Sequence, residues 1–159
     1  MASLPQLIEE DLERIERELR ELLEKSDATT ALIIDKGGFL ITSQGDTQQF
    51  DLTTIAALAS GAYMANQTIA NLVHETSFNS IYQQGETFSI FVMGVDENCL
   101  LVVIFKAQVS VGAVKYFALP AVKRIAVQLQ IAQERDPGAS LDLSALNLAD
   151  PSEVFKRKA

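Results

Sequence analysis

The sequence predicts an α+β domain, a five-stranded antiparallel sheet packed with helices in the order α-β-β-α-β-β-β-α. Three observations predict it. Three long segments carry apolar residues at helical spacing, and five short segments are rich in β-branched and aromatic residues. The short segments fall into turn-punctuated groups of two and three, so no parallel crossover is demanded. At 159 residues, 48% hydrophobic and 21% charged, the chain has an ordinary globular mix and a length that supports one packed core without staples.

Residues 4–25 place Leu4, Ile8, Leu12, Ile15, Leu19 and Leu22 at alternating spacings of four and three, with Leu7 and Leu23 widening the stripe. This is an amphipathic helix. Its other faces carry Glu10/Arg14, Glu13/Arg17, Glu16/Arg20 and Glu21/Lys25, each acid four residues before its base, the favourable orientation for a solvated face. TTALIID (29–35), the turn Lys36-Gly37-Gly38 and FLITS (39–43) then read as a hairpin. Asp51 offers a capping oxygen to a second helix over 52–73, whose core face is predicted from Ile55, Leu58, Ala62, Ile69, Leu72 and Val73, with His74 closing its last turn as a dipole-facing cap.

FNSIYQQ (78–84), TFSIFVMGV (87–95) and CLLVVIFKA (99–107) follow as three meander strands separated by Gln84-Gly85-Glu86 and Asp96-Glu97-Asn98. The last is almost wholly apolar and is expected at the centre, covered on both faces. Residues 110–134 return to helical spacing through Val114, Ala118, Val122, Ile125 and Leu129. Pro120 there predicts a kink or a late helix start. From Asp136-Pro137-Gly138 onward the composition changes, so the domain is placed at 1–135 and a flexible C-terminal tail at 136–159.

Charge and composition narrow the function classes. Lys and Arg total 13 against 21 Asp and Glu, a formal charge of −8, which argues against general nucleic-acid binding because that rests on many phosphate-neutralising cations. The N-terminal residues lack a basic stretch followed by an apolar one, and no apolar run reaches the length of a membrane span. With one cysteine, the cytoplasm is the expected compartment. No metal site, cofactor or catalytic constellation is expected from one His, one Cys and no phosphate-binding GxxxxGK[ST] motif. Cys99 is read as a small buried hydrophobe, and both Lys36-Gly37-Gly38 and Asp96-Glu97-Asn98 as turns rather than a phosphate nest or a cation site.

A surface feature stands out instead. No Lys or Arg lies between Lys36 and Lys106, and from Thr47 to Gly94 the only charges are Asp51, Glu75 and Glu86. The side of the second helix opposite its predicted core face carries Thr53, Ala56, Ala57, Ser60, Met64, Gln67, Thr68 and Asn71, with Tyr63 on the flank. A partner can approach such a face without desolvating an ion, and depletion of charge beside an aromatic and a Met is the composition of an interface core. The alternative is a helix buried between two layers of its own domain. Phe78, Ile81 and Tyr82 lie in a strand without an edge-guarding Lys, which invites edge pairing into a two-fold dimer with one continuous sheet.

DKGGFLITSQG, DLTTIAALASGAYMANQTIANLV with its G-x-x-x-x-N-Q spacing, FNSIYQQGE, CLLVVIF and VSVGAVKY together resemble the roadblock/dynein-light-chain family, in its bacterial MglB-like branch, over about residues 5–134. The resemblance implies a homodimer that binds a small Ras-like GTPase of the MglA type across both second helices and stimulates GTP hydrolysis in cell polarity and motility control. It places Ser60 and Met64 at GTPase-contacting positions, and gives a C-terminal segment, here the region of Val154, Phe155 and Lys156-Arg157-Lys158, access to a second GTPase surface. Thr53, Ala57, Tyr63, Gln67, Thr68 and Asn71 join the contact set from the helical wheel alone. Two rivals are an adaptor that tethers a GTPase or motor component without stimulating hydrolysis, and a ligand-sensing domain, against which the filled strand CLLVVIF argues.

Overall fold

The computed structural model describes residues 3–135; the predicted tail over 136–159 lies outside the described residues. Eight elements follow in the expected order: α1 (Glu9–Ser26), β1 (Thr30–Asp35), β2 (Leu40–Gly45), α2 (Leu52–Leu72), β3 (Ser80–Gln83), β4 (Phe88–Gly94), β5 (Cys99–Lys106) and α3 (Val111–Arg135). The strands form one sheet in the order β2-β1-β5-β4-β3, every neighbouring pair antiparallel. The link through α2 therefore joins the two edge strands across the whole width of the sheet.

β5 is the central strand, and its period of two divides the core. Leu101, Val103 and Phe105 point to the layer formed by α1 and α3, where Ile15, Leu19, Leu22, Val114, Ile125 and Leu129 are buried. Leu100, Val102 and Ile104 point the other way, into a second apolar cluster with Leu32, Ile34, Val92 and the residues of α2. A strand buried on both sides needs apolar residues at every position, as CLLVVIF supplies.

α1 begins later than its apolar spacing predicts. The Asp11 carboxylate accepts a hydrogen bond from the Ile8 amide at 2.9 Å, which satisfies an otherwise orphaned donor and sets the first turn. Leu4 and Leu7 remain outside the helix yet still pack on the core. Asp11 itself is fully buried. It also accepts two hydrogen bonds from the Arg135 guanidinium at 2.7 and 2.8 Å and one from Gln128 at 2.7 Å. The start of α1 is thereby tied to the last residue of α3. The Arg135 bonds hold the Asp11 carboxyl far below the usual carboxylate range, against the opposing effect of burial.

α3 runs through Pro120 without the late start the sequence suggested. Pro120 lies on the exposed side, where the carbonyl that loses its amide partner is accessible to water. In the β1–β2 hairpin, Gly38 adopts φ +97°, and a Cβ there would come within 3.1 Å of the Ala57 Cα. Glycine permits both the left-handed turn and the close seating of the hairpin against α2.

Candidate functional site

The candidate surface is α2, and both of its ends are set by local chemistry. At its start the Asp51 carboxylate accepts from the Thr54 amide at 3.2 Å and the Thr54 hydroxyl at 2.6 Å. These bonds, the hydroxyl's foremost, lower the Asp51 pKa. At its end the Glu75 amide donates to the Ala70 carbonyl at 2.9 Å and the His74 amide to Asn71 at 3.2 Å, the pair of reversed bonds that makes a Schellman close. His74 sits just past the helix at φ 64°, so its backbone conformation closes α2. That replaces the expected cap in the last turn.

The helix is rotated relative to the face the sequence predicts. Leu52, Ala56, Ser60, Tyr63 and Ala70 are buried against the sheet. Leu58, Met64, Ile69, Leu72 and Val73 are exposed, Leu58 by 69% and Leu72 by 75%. Ala56, Ser60 and Tyr63 thus leave the predicted outer face, while Leu58, Ile69, Leu72 and Val73 leave the predicted core face. The physical reason lies in the opposing surface. The sheet presents Leu32, Ile34, Val92, Val102 and Ile104, and bulky strand residues fill the layer if the helix approaches through small ones.

Ser60 and Tyr63 each have an internal task. The Ser60 hydroxyl donates to the Lys36 carbonyl in the hairpin turn. The Tyr63 ring is 7% exposed, and burial raises its pKa. A Cβ at Gly94 would lie 3.0 Å from the Tyr63 hydroxyl, so the glycine makes room for it, and Lys36 Nζ stands 6.0 Å from the ring centroid. Gln67 is half-buried and donates to the Phe78 carbonyl at 3.0 Å. Of the sequence-predicted contact set, Thr53, Ala57, Met64, Thr68 and Asn71 are exposed. Together with Leu58, Ile69 and Leu72 they form an outer face without a charged residue.

The predicted edge residues divide. β3 bonds only to β4 among the described residues, so its other side presents unpaired backbone donors and acceptors. Ile81 packs into the α2 layer, whereas Tyr82 lies on the opposite face and stacks on Phe105 with centroids 6.1 Å apart. Phe78 precedes the strand and is half-buried. The other edge, β2, is overhung by α1: the Thr42 hydroxyl donates to Glu16 at 2.7 Å and Arg20 donates to Gln44 at 3.3 Å. The Glu16 and Arg20 side chains thus reach across to the strand in place of the helical pair expected between them.

The remaining chemical candidates are occupied locally. Cys99 is fully buried and its thiol is pushed up to about 12, first by burial and then by the charges of Asp96 and Asp35. Asp96 accepts from the amides of Asn98 and Cys99, both at 2.8 Å, which accounts for that turn. Among the described residues no three His, Cys, Asp or Glu side chains are grouped to hold a metal ion, and no helix is long and apolar enough to cross a membrane.

Comparison with known proteins agrees with this architecture. The profile of the Roadblock/LC7 domain matches residues 14–105, more than half of the chain. A solved structure of MglB with a tetrameric arrangement is 28% identical, covering 83% of this chain and 99% of its own, with a TM-score of 0.77. The gliding protein MglB of Thermus thermophilus is 28% identical over 82% of this chain and 98% of its own, with a TM-score of 0.75. Myxococcus xanthus MglB is 29% identical over 73% and 94%, with a TM-score of 0.69. No curated protein sequence matches the chain.

Proposed function

The chain belongs to the Roadblock/LC7 domain family and is MglB-like, and we propose that it works as a homodimeric regulator of a small Ras-like GTPase of the MglA type. The observation that carries this reading is the outer face of α2, where Leu58, Met64, Ile69 and Leu72 are exposed over a surface with no ion to desolvate. Exposed apolar area of this kind marks an interaction site. The open β3 edge supports pairing of two copies through one two-fold axis, which brings both α2 helices to one platform.

Stimulation of hydrolysis on this platform works by conformational stabilisation. An arginine finger places a cation on the developing phosphoryl charge, but α2 contains no arginine, and those of α1 and α3 lie on the other face of the sheet. Binding the hydrolysis-competent arrangement of the GTPase more tightly than the resting one shifts the population toward it, and a large effect needs on the order of 3–5 kcal/mol of differential affinity. The same absence of a cation favours a second reading, an adaptor that tethers the GTPase without changing its rate.

Met64→Arg in the full chain tests the platform, because Met64 is exposed and the fold does not need it. Ser60→Arg is unsuitable, since it would break the bond to the Lys36 carbonyl. With an MglA-type GTPase, Met64→Arg is expected to weaken binding about tenfold or more, at least about 1.4 kcal/mol, and to abolish stimulation while the dimer mass stays unchanged. Undiminished binding and stimulation would remove α2 from the mechanism. Wild-type binding with no acceleration would establish the adaptor instead.

A further inference from the structure

The β3–β4 ladder ends at the pair Ser80 and Met93, and the chain before β3 peels away from Gly94. The gap is a cavity of about 230 Å³, reached by Tyr63 of α2 from one side of the sheet and by Leu119, Val122 and Lys123 of α3 from the other. Its outer wall is held in place, because the Phe78 carbonyl accepts from Gln67 at 3.0 Å.

Tyr63 has a polar end that the fold does not use. The residue is 7% exposed, and its hydroxyl makes no hydrogen bond to another residue among those described. No side-chain polar atom there is both sealed from solvent and unpartnered, so the hydroxyl opens into the cavity. Gly94, which also lines it, has no Cβ to block that end. Burial raises the Tyr63 pKa, so the group stays a donor at neutral pH. A phenylalanine would fill the same space without a buried hydroxyl to satisfy; a tyrosine calls for an acceptor.

The walls define that acceptor. Lys123 is the one charged residue among them, and it joins no ion pair among the described residues. In a chain of formal charge −8, a cavity whose only charge is an unpaired lysine favours an anion. Met93, Leu119 and Val122 make the rest of the wall apolar, which suits an anion carrying a hydrocarbon chain and disfavours a fully hydrated one. The volume lies below that of drug-sized pockets, so the chain is short. We propose that this cavity binds a short aliphatic carboxylate, its oxygens on the Tyr63 hydroxyl and the Lys123 ammonium and its chain along Leu119, Val122 and Met93. The inference is independent of the GTPase reading, because it needs neither a GTPase nor a second copy.

Hexanoate titrated into the full-length protein, followed by the amide resonances of Asn79, Gly94 and Lys123, provides the test. Saturable shifts are expected at millimolar concentrations, with Tyr63→Phe and Lys123→Gln each weakening the apparent Kd about fivefold or more. Lys123→Gln alters an exposed position and carries the test alone if Tyr63→Phe disturbs the fold. Shifts that fail to saturate, or a Kd indifferent to Lys123→Gln, would overturn the inference. So would equal binding of 1-hexanol, which would make the cavity merely apolar, or of inorganic phosphate, which would make Lys123 a site for any anion.

Discussion

α1 and α2 lie over opposite faces of one sheet and meet solvent with opposite chemistry. α1 spans 18 residues and α2 spans 21. α1 buries large residues, Ile15, Leu19 and Leu22, and turns outward a face laced by Glu10–Arg14 and Glu21–Lys25 pairs at 2.8 and 2.7 Å. α2 buries mostly small ones and turns Leu58, Met64, Ile69 and Leu72 outward. The first arrangement is what solvent selects; the second leaves apolar area unused by the fold of the described residues. The two sheet edges repeat the contrast, since α1 side chains overhang β2 while β3 stays open. Among the described residues one layer is closed over and the other is left open.

Truncating the same residue type in both helices should separate the layers most sharply. Leu19→Ala, at a fully buried position, is expected to cost about 2–5 kcal/mol in urea unfolding. Leu58→Ala, at fixed protein concentration, should stay within about 0.5 kcal/mol of the parent. Comparable losses at the two sites would mean that α2 is covered by the fold after all.

Asp11 gives the next largest effect. Asp11→Asn weakens charge-assisted hydrogen bonds to a buried carboxylate, and with Arg135 one-third exposed the expected cost is about 2–3 kcal/mol. The folded pKa lies below the unfolded value, near 3.9. The contribution is therefore complete at neutral pH and declines as pH falls below about 4. Urea midpoints measured from pH 7 to pH 3 should fall more steeply for the parent than for Asp11→Asn; parallel curves would remove the pair from the stability of the α1–α3 layer.

The smallest effect belongs to the solvated surface. Glu18→Gln removes the negative charge from the 2.6 Å bond that Arg124 donates and that joins α1 to α3. A loss of about 0.5 kcal/mol, shrinking as salt is added, is expected for so exposed a pair. A salt-independent loss above that would show the α1–α3 surface to be less solvated than its companion on α2.

The element order, the central place of CLLVVIF, the Lys36-Gly37-Gly38 turn and the capping role of Asp51 were legible in the sequence, because each is written in local pattern. α1 has one apolar stripe against many charges, so its inward face was legible too. α2 has no such contrast. Leu58, Ile69 and Leu72 compete with Ala56, Ser60 and Tyr63 for the inner side, and periodicity alone favours the larger residues. Exposed Met64, Thr68 and Asn71 were found by their lack of charge, whereas Leu58 and Leu72 were missed because large apolar side chains are expected inside.

By itself, then, the sequence determined which segments become helix or strand and that its middle region, between Lys36 and Lys106, carries no Lys or Arg. The tertiary structure decided the rotation of α2, the anchoring of Arg135 on Asp11 and the guarding of one sheet edge alone. These depend on what lies opposite: the bulk of Leu32, Val102 and Ile104 selects small partners, and Asp11 meets a guanidinium 124 residues away. Complementarity of that kind belongs to pairs of surfaces, and a linear pattern carries only one of the two.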